Sequence, residues 1–301
     1  MRQNRVRQTV LPVLAAMIWG TGFVAQSIGA NYLESFSFNA ARSAVAMVFL
    51  FGVSVVRRKL GRVPAVPIRD LLTAGGCCGA CLTVAAYFQQ KGLETTSSGK
   101  AGFITALYIV VVPLLSALLG RRPPVTVWAG VVLAVGGLYC LCVGEQFTVT
   151  PGDAYVFVCA LCFSVHILVI DHFSLRVDGI EMSCVQFSTV TALSCLGAAV
   201  MRETVTTDAV ISGLGPILYA GLFSSGIAYT LQILAQKGAN PTVVSLLLSL
   251  ESVFATLSGA LFLHERLTVR EYFGCCLMFC AVILAQLPQR KKEVMPELSH
   301  G

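Results

Sequence analysis

Long apolar runs alternate with short clusters of charged residues along the whole chain. Ten of these runs reach the length of about 20 residues that an α-helix needs to cross the hydrocarbon core of a bilayer. They cover 9–29, 37–56, 69–89, 101–120, 125–143, 153–171, 181–200, 211–234, 241–263 and 269–287. Because lipid offers the backbone no hydrogen-bond partners, and because the runs lack the alternation of barrel strands, each is predicted to be a helix. The pattern therefore predicts an all-α integral membrane protein with ten transmembrane helices.

The composition agrees with a membrane protein. The 301 residues are 56% hydrophobic and 12% charged, whereas soluble domains are about 25% charged. No connection between the runs is long enough for a separate soluble domain, so a cytosolic enzyme is excluded. The twelve cysteines all lie within predicted spans, where they are expected to pack as small apolar side chains. Cys159 and Cys162 form a C-x-x-C without a second pair, so neither a metal site nor a cofactor is predicted.

The distribution of basic residues predicts the orientation. Of the 21 Lys and Arg, fifteen fall on the side of the N-terminus, five fall on the opposite side, and Arg42 lies within a span. Since basic loops stay in the cytoplasm, both termini are predicted to be cytoplasmic, in a cell membrane of bacterial type. The first run is expected to be an uncleaved helix. The net charge of +6 thus reflects topology, and the expected partners are the lipid bilayer and a small molecule, with no nucleic acid; the sequence does not indicate the oligomeric state.

The chain contains an internal repeat. Residues 86–90 and 228–232 share A-Y-x-x-Q at a separation of 142, and residues 113–120 resemble 252–259 at a separation of 139. This second alignment implies that five residues are missing from the first copy after Gly120. Because each copy holds an odd number of spans, the second copy must enter the membrane in the opposite orientation. The prediction is a pair of inverted five-helix repeats. Their expected bounds are 1–145 and 146–288, followed by a cytoplasmic tail at 289–301.

Several short motifs resemble those of a known family. They are Trp19-Gly20, Arg42, Pro113, residues 250–255 (LESVFA) and residues 262–268 (FLHERLT). Their order and spacing over about 10–287 are similar to the EamA-type ten-helix members of the drug/metabolite transporter superfamily. The resemblance implies a transporter of a small polar or amphipathic metabolite, often exported, and leaves the substrate open. Two departures are Ser252, where a proline is common, and a shortened end of the fourth span.

An inverted-repeat transporter is expected to bind its substrate near the bilayer midplane, between the repeats. Glu251 is the one acid at the centre of a span, so it is the candidate for proton coupling or for binding a substrate amine. The alternative is a packing glutamate bonded to neighbouring backbone. His166 lies well inside a span and is a candidate for proton exchange, or else a neutral hydrogen-bonded side chain.

Other polar and aromatic residues complete the predicted binding site. Trp19, Gly22, Phe23 and Gln26 lie on one face of the first helix, which is expected to line a cavity. Hydroxyl groups in the fourth and ninth spans could add to the pocket or simply pack helices closely. The substrate-binding candidates are Trp19, Gln26, Thr105, Tyr108, His166 and Ser249.

Two further sets of residues are assigned to the entrances. Arg42 and Lys100 are predicted at the outer mouth, where Arg42 is shallow enough for its head group to reach the interface. They would attract anionic substrates, or Arg42 would only anchor its helix. The second set comprises the repeated pairs Tyr87 with Gln90 and Tyr229 with Gln232. These are predicted to gate opposite mouths, with interfacial anchoring as the alternative.

Together with the family resemblance, which implies the substrate class and its export, these residues predict a secondary transporter for a small polar or amphipathic metabolite, amino-acid-like or related. It would work by alternating access, with proton coupling through Glu251. The sequence contains neither G-x-S-x-G nor a Walker A segment, and H-E-R-L-T lacks the second histidine of a zinc motif, so no enzymatic activity is predicted. A passive channel or a non-transporting membrane scaffold is the alternative. Saturation and trans-stimulation of flux would distinguish a carrier from a channel.

Overall fold

A computed structural model describes residues 2–121, 123–142, 150–262 and 268–286, and within these ranges all regular structure is helical. Each predicted span falls on one helical segment. The segments are α1 (Arg2–Gly29), α2 (Ser35–Lys59), α3 (Ile68–Leu93), α4 (Ser98–Ala106 with Tyr108–Leu118), α5 (Val125–Cys142), α6 (Pro151–Ser174), α7 (Gly179–Met201), α8 (Leu214–Tyr219, Ala220–Ala228 and Tyr229–Gln236), α9 (Pro241–Leu248 with Glu251–Phe262) and α10 (Val269–Gln286). A short helix, Thr207–Ser212, precedes α8. The predicted all-α membrane fold is confirmed.

Eight segments of the described chain, α1–α4 and α6–α9, are long and apolar enough to cross a membrane. The other two, α5 and α10, have 18 residues each and pack against each other. At Gly137 their backbones come so close that an added Cβ would lie 3.0 Å from the carbonyl oxygen of Gly274. These two shorter helices therefore complete the bundle as a pair.

Helix ends are set by local sequence signals. Thr150 and Asp153 form a reciprocal capping box at the start of α6. The Asp178 carboxylate accepts hydrogen bonds from the backbone N–H groups of Ile180 and Glu181, at 3.0 and 3.2 Å, and begins α7. Gly238, with a φ of 73°, follows α8 in the left-handed conformation that glycine adopts without strain.

The two halves interlock through equivalent helix pairs. In one pair α3 packs on α7, and an added Cβ at Gly79 would lie 2.7 Å from the carbonyl oxygen of Gln186. In the other pair α8 packs on α2, and an added Cβ at Gly221 would lie 2.7 Å from the carbonyl oxygen of Arg42. The two glycines are 142 positions apart and the two facing residues are 144 apart. The same contact thus occurs once in each direction, as an inverted repeat requires.

The broken helices correct one alignment made from sequence. The first parts of α4 and α9 begin at Ser98 and Pro241, and their second parts begin at Tyr108 and Glu251, which are 143 positions apart in both cases. The separation of 139 is therefore wrong, and the first copy lacks no five-residue stretch. Apolar helix surfaces match at several registers, whereas the break in each helix fixes one.

Three sequence assignments lie outside the described residues. They are the boundary between the repeats at 145–146, residues 263–267 of the FLHERLT motif, and the tail at 289–301.

Candidate functional site

A cavity lies between the two halves, where α4 and α9 break. The first half contributes α1 to α4 and the second half contributes α6, α8 and α9 to its walls. Its polar walls include Gln26, Gln89, Thr105, Ser224 and Gln232. Such a concave site, largely apolar with a few convergent polar groups, is typical of small-molecule binding.

The two broken helices contact each other in the wall of the cavity. Tyr108 is the first residue after the break of α4, and Glu251 is the first residue after the break of α9. The Tyr108 hydroxyl donates a hydrogen bond to Oε1 of Glu251 at 3.0 Å, and both side chains are buried. Because the two residues hold equivalent positions in the repeat, this bond crosses the symmetry axis that relates the halves.

Ser249 stands at the break of α9 without lining the cavity. Its hydroxyl donates to the carbonyl oxygen of Leu246 at 2.8 Å, and so supplies a partner to a backbone group at the helix end. Thr105 does line the cavity, and its hydroxyl lies 3.5 Å from Nε2 of Gln89. Of the two predicted hydroxyl residues, the structure brings Thr105 to the site and gives Ser249 a capping contact.

Arg42 lies in the cavity wall, which corrects its predicted place at the interface. Its side chain is buried, with Nε donating to Asn39 Oδ1 at 2.8 Å and Nη1 donating to Gln26 Oε1 at 3.1 Å. The head group does not reach the outer surface because this face of α2 packs against α8, where Gly221 approaches the Arg42 backbone. Both hydrogen-bond partners are neutral.

The predicted face of α1 lines the cavity. Trp19, Phe23 and Gln26 all contribute to its wall, and Gly22 faces Ser224. The Trp19 indole donates from Nε1 to the carbonyl oxygen of Ser224 at 3.2 Å, and its ring lies 4.7 Å from that of Tyr229. This bond holds the indole against α8.

His166 lies one layer behind the cavity wall. Its Nε2 is 3.1 Å from Oε1 of Gln186, and its ring centroid is 6.1 Å from that of Tyr229. The structure therefore places His166 close to the site but not on its surface.

The two repeated Tyr and Gln pairs occupy different surroundings. Tyr229 and Gln232 line the cavity, whereas the Tyr87 ring stacks on Phe36 at 4.2 Å. Gln90 donates from Nε2 to the backbone oxygen of Gln26 at 3.0 Å. The two Tyr and Gln pairs were predicted to be mirror equivalents, but they make different contacts.

The cause of this difference lies in the winding of α8. Residues Ala220–Ala228 form a π-helix, whereas α3 is α-helical throughout. Since a π-turn holds more residues than an α-turn, the side chains that follow are rotated relative to those of α3. The cavity residue that corresponds to Gln232 is then Gln89, 143 positions earlier. For this reason Gln89 is absent from the binding site predicted from sequence. Phe163 and Ser224 are absent from it too, because neither their spacing nor their charge distinguishes them.

Lys100 lies outside the cavity wall and forms an ion pair between the halves. Its Nζ contacts Oδ2 of Asp153, while Thr96 donates to Oδ1 of the same carboxylate at 2.9 Å. The pair joins the start of α4 to the start of α6. In the described ranges no three His, Cys, Asp or Glu side chains come together as metal ligands.

The family comparison matches the chain twice. A model of the EamA-like transporter family matches residues 9–143 and again 150–287. A transporter of Archaeoglobus fulgidus, described as uncharacterized, is 29% identical over 280 residues, covering 91% of this chain and 84% of its own length. The uncharacterized transporter YoaV of Bacillus subtilis is 19% identical and covers 94% and 97% of the two chains. A WAT1-related chloroplastic protein of Arabidopsis thaliana is 23% identical over 215 residues, 67% of this chain and 51% of its own.

A solved crystal structure has a similar fold. It superposes with a TM-score of 0.76 at 20% identity, and covers 93% of this chain and 96% of its own. At this level of identity the likeness concerns the fold alone.

Proposed function

Because the chain belongs to the EamA-like transporter family, we propose that it is a secondary transporter that exports a small, amino-acid-like metabolite by alternating access, with proton exchange at Glu251. The family and the names of its relatives point to a multi-pass membrane transporter rather than to an enzyme. The substrate class, the coupling, the cytoplasmic position of both termini and the location in the cell membrane belong to the proposal.

Two ion pairs at opposite ends of α4 and α6 support alternating access. Lys100 and Asp153 join the starts of α4 and α6. Arg121 follows the end of α4 and pairs with Asp171 near the end of α6. Both ion pairs connect the first half to the second. One lies at the start and the other at the end of α4 and α6, which run parallel to each other. Opening one mouth while the other stays closed requires one pair to separate while the other holds.

The observation that carries the coupling proposal is the placement of Glu251. Among the described residues that line the cavity, it is the one acid, and it is buried with a tyrosine hydroxyl as its partner. A carboxylate deep in a membrane protein costs roughly 2.5–3.5 kcal/mol on insertion scales when ionised. Exchange of a proton would relieve that cost in one state of the cycle. The alternative role, a packing glutamate, predicts no proton movement.

Counterflow into proteoliposomes tests the transport mechanism. A substrate is first identified by stabilisation of the purified protein, because a ligand that binds the folded state raises its melting temperature. Saturable uptake with trans-stimulation is expected. Uptake without saturation or trans-stimulation would show a channel, and a protein that binds ligands but moves none would be a scaffold.

A matched pair of variants tests the coupling. Glu251→Gln should keep exchange of substrate but lose uptake driven by a pH gradient. Glu94→Gln removes an exposed carboxylate that pairs with Lys91, and should keep both activities. If folded Glu251→Gln shows pH-driven uptake at the wild-type rate, Glu251 is structural and the coupling proposal is wrong.

Cysteine labelling tests the proposed orientation. In a background without native cysteines, Glu34→Cys and Leu60→Cys place exposed thiols in the connections before and after α2. An impermeant reagent applied outside cells should label the first and leave the second unlabelled. The reverse pattern contradicts cytoplasmic termini.

A further inference from the structure

Arg42 brings a positive charge into the cavity without a negative side chain beside it. It is the one cation among the described residues of the cavity wall, and the residue is 3% exposed. Its hydrogen bonds in the described chain go to the amide oxygens of Gln26 and Asn39. Because a guanidinium has five N–H donors, these two bonds leave donors for a ligand.

Glu251 shares the cavity but does not neutralise Arg42. Its hydrogen bond goes to Tyr108, and the ion pairs of the described residues include none between Glu251 and Arg42. A buried charge without a counter-charge is costly, so buried ions in proteins are normally paired or bound to a ligand. An anionic ligand would supply the missing partner.

The second half of the molecule shows that the fold does not need this charge. Gln186 holds the equivalent position on α7, where Gly79 packs on its carbonyl oxygen as Gly221 packs on that of Arg42. A neutral amide is sufficient there, bonded to His166 at 3.1 Å. The charge of Arg42 is therefore available for a role other than helix packing.

We propose that Arg42 binds the carboxylate of the transported substrate, whose apolar part contacts Trp19, Phe23 and Phe163. A guanidinium matches a carboxylate with two parallel hydrogen bonds. The described cavity wall holds one cation and one acid that do not pair with each other. This suits a substrate with a single negative charge, because a doubly charged phosphate would be repelled by Glu251 when that residue is ionised. This assignment rests on the proposed transport function and adds the substrate class to it.

A set of ligands that share one skeleton tests the assignment. The probes are leucine, 4-methylpentanoate, leucinamide and 3-methylbutylamine, together with other amino acids and organic acids each paired with its amide. Binding is measured as the rise in melting temperature of the purified protein. Carboxylates should stabilise the wild type, while their amides and the amine should not. If no carboxylate stabilises the wild type at millimolar concentration, or if amides do so equally, the assignment is wrong.

Arg42→Gln is the decisive variant, because the molecule already carries glutamine at the equivalent position. It should weaken carboxylate binding at least about 30-fold, as expected when one partner of a buried charge pair is removed. Arg42→Lys should weaken it less, since the charge remains without the planar donors. Lys91→Gln, which removes a cation from an exposed pair, is the matched control and should bind like the wild type.

Measuring transport and binding separately distinguishes the proposed transport function from the proposed carboxylate site at Arg42. Wild-type protein that binds carboxylates through Arg42 but shows no counterflow would overturn the transport function and keep the binding site. Counterflow of an uncharged substrate that Arg42→Gln leaves unchanged would keep the function and overturn the site. If Arg42→Gln does not fold, loss of discrimination between carboxylate and amide in Arg42→Lys decides the question, and full discrimination there with wild-type affinity counts against the site.

Discussion

The two halves of the chain build the same helix contacts but place different chemistry on them. On α2, Arg42 bonds Gln26 of α1, and on α7, Gln186 bonds His166 of α6. Both pairs lie beside a glycine of the opposite half that approaches to the same distance. The packing is thus repeated while the polar side chains are not. We infer that the scaffold needs the small residue and a hydrogen-bonded polar side chain, and that the charge of Arg42 serves the ligand.

The same contrast occurs where α4 and α9 break. Tyr108 and Glu251 hold equivalent positions and bond each other at 3.0 Å. Two carboxylates at this distance could not both be ionised, because like charges in one site disfavour each other. A symmetric pair of acids would therefore lose one charge, whereas a phenol and an acid form a stable hydrogen bond. Divergence between the halves is what allows this contact at the axis.

The equivalent helix contacts of the two halves predict that two distant substitutions lower the stability by the same amount. Gly79→Ala and Gly221→Ala each put a Cβ within 2.7 Å of a backbone oxygen on the facing helix. Since the helices must separate to admit a methyl group, each variant should lose about 1–3 kcal/mol of stability. Thermal or denaturant unfolding in detergent measures the loss.

Gly76→Ala is the control for this pair, because an added Cβ there meets nothing within 4 Å. Its stability should match the wild type or rise slightly. A large loss at Gly79 with none at Gly221 would show that the two helix pairs are not equivalent, and would break the comparison between the halves.

The contact between Tyr108 and Glu251 gives the next prediction, with an expected effect of similar size. Tyr108→Phe removes the hydroxyl that donates to Glu251 and leaves a buried acid without this partner. Removing such a bond costs about 1–3 kcal/mol, which should appear in thermal unfolding at neutral pH. Tyr155→Phe, whose ring stacks on Phe88 at the bundle surface, is the matched control and should unfold like the wild type. Equal stability of Tyr108→Phe and wild type would show that the bond contributes nothing.

Much of the fold follows from the sequence, because bilayer thickness and the need to satisfy the backbone leave few choices for ten long apolar runs. The face of α1 with Trp19, Phe23 and Gln26 was also predictable, since 3.6-residue spacing places them together. Arg42 was misplaced because depth along a helix does not tell which face packs inward. The difference between Tyr87 and Tyr229 was not predictable either, because it depends on the π-helix before Tyr229, for which the sequence gives no periodic signal.

The third prediction follows from that π-helix: substituting the two repeated tyrosines should have different effects on the cavity. Tyr229 lies in the cavity wall between Trp19 and Phe163, and Tyr87 stacks on Phe36 outside it. Tyr229→Phe should change the alkylation rate of a thiol at Ser224→Cys, in a background without native cysteines, whereas Tyr87→Phe should not. Opposite changes of similar size from the two variants would instead support mirrored gates.

The smallest expected effect concerns an ion pair that joins the halves away from the cavity. Asp178 precedes α7 and binds both Nη atoms of Arg57 at the end of α2, at 2.7 and 3.0 Å. Partial burial raises the pKa of this carboxyl, but the hydrogen bonds from Arg57 and from the backbone of Glu181 and Ile180 outweigh it, so the pKa lies below the ordinary value of 3.8. The folded state therefore binds this proton less readily than the unfolded chain does.

The sign of the pH effect follows from this lowered pKa. The stabilisation is complete above the unfolded-chain pKa and is lost as the pH falls through the lower pKa of the folded state. Asp178→Asn should therefore reduce stability at neutral pH by a small amount, because the pair is partly exposed, and the variant should lose less stability than the wild type on acidification. Melting temperatures measured from neutral pH down to about pH 3 test this, with Asp208→Asn, an exposed acid in the connection between α7 and α8, as the control for loss of charge. If Asp178→Asn and wild type lose stability in parallel on acidification, the pair between α2 and α7 is an incidental surface contact that does not help to hold the two halves together.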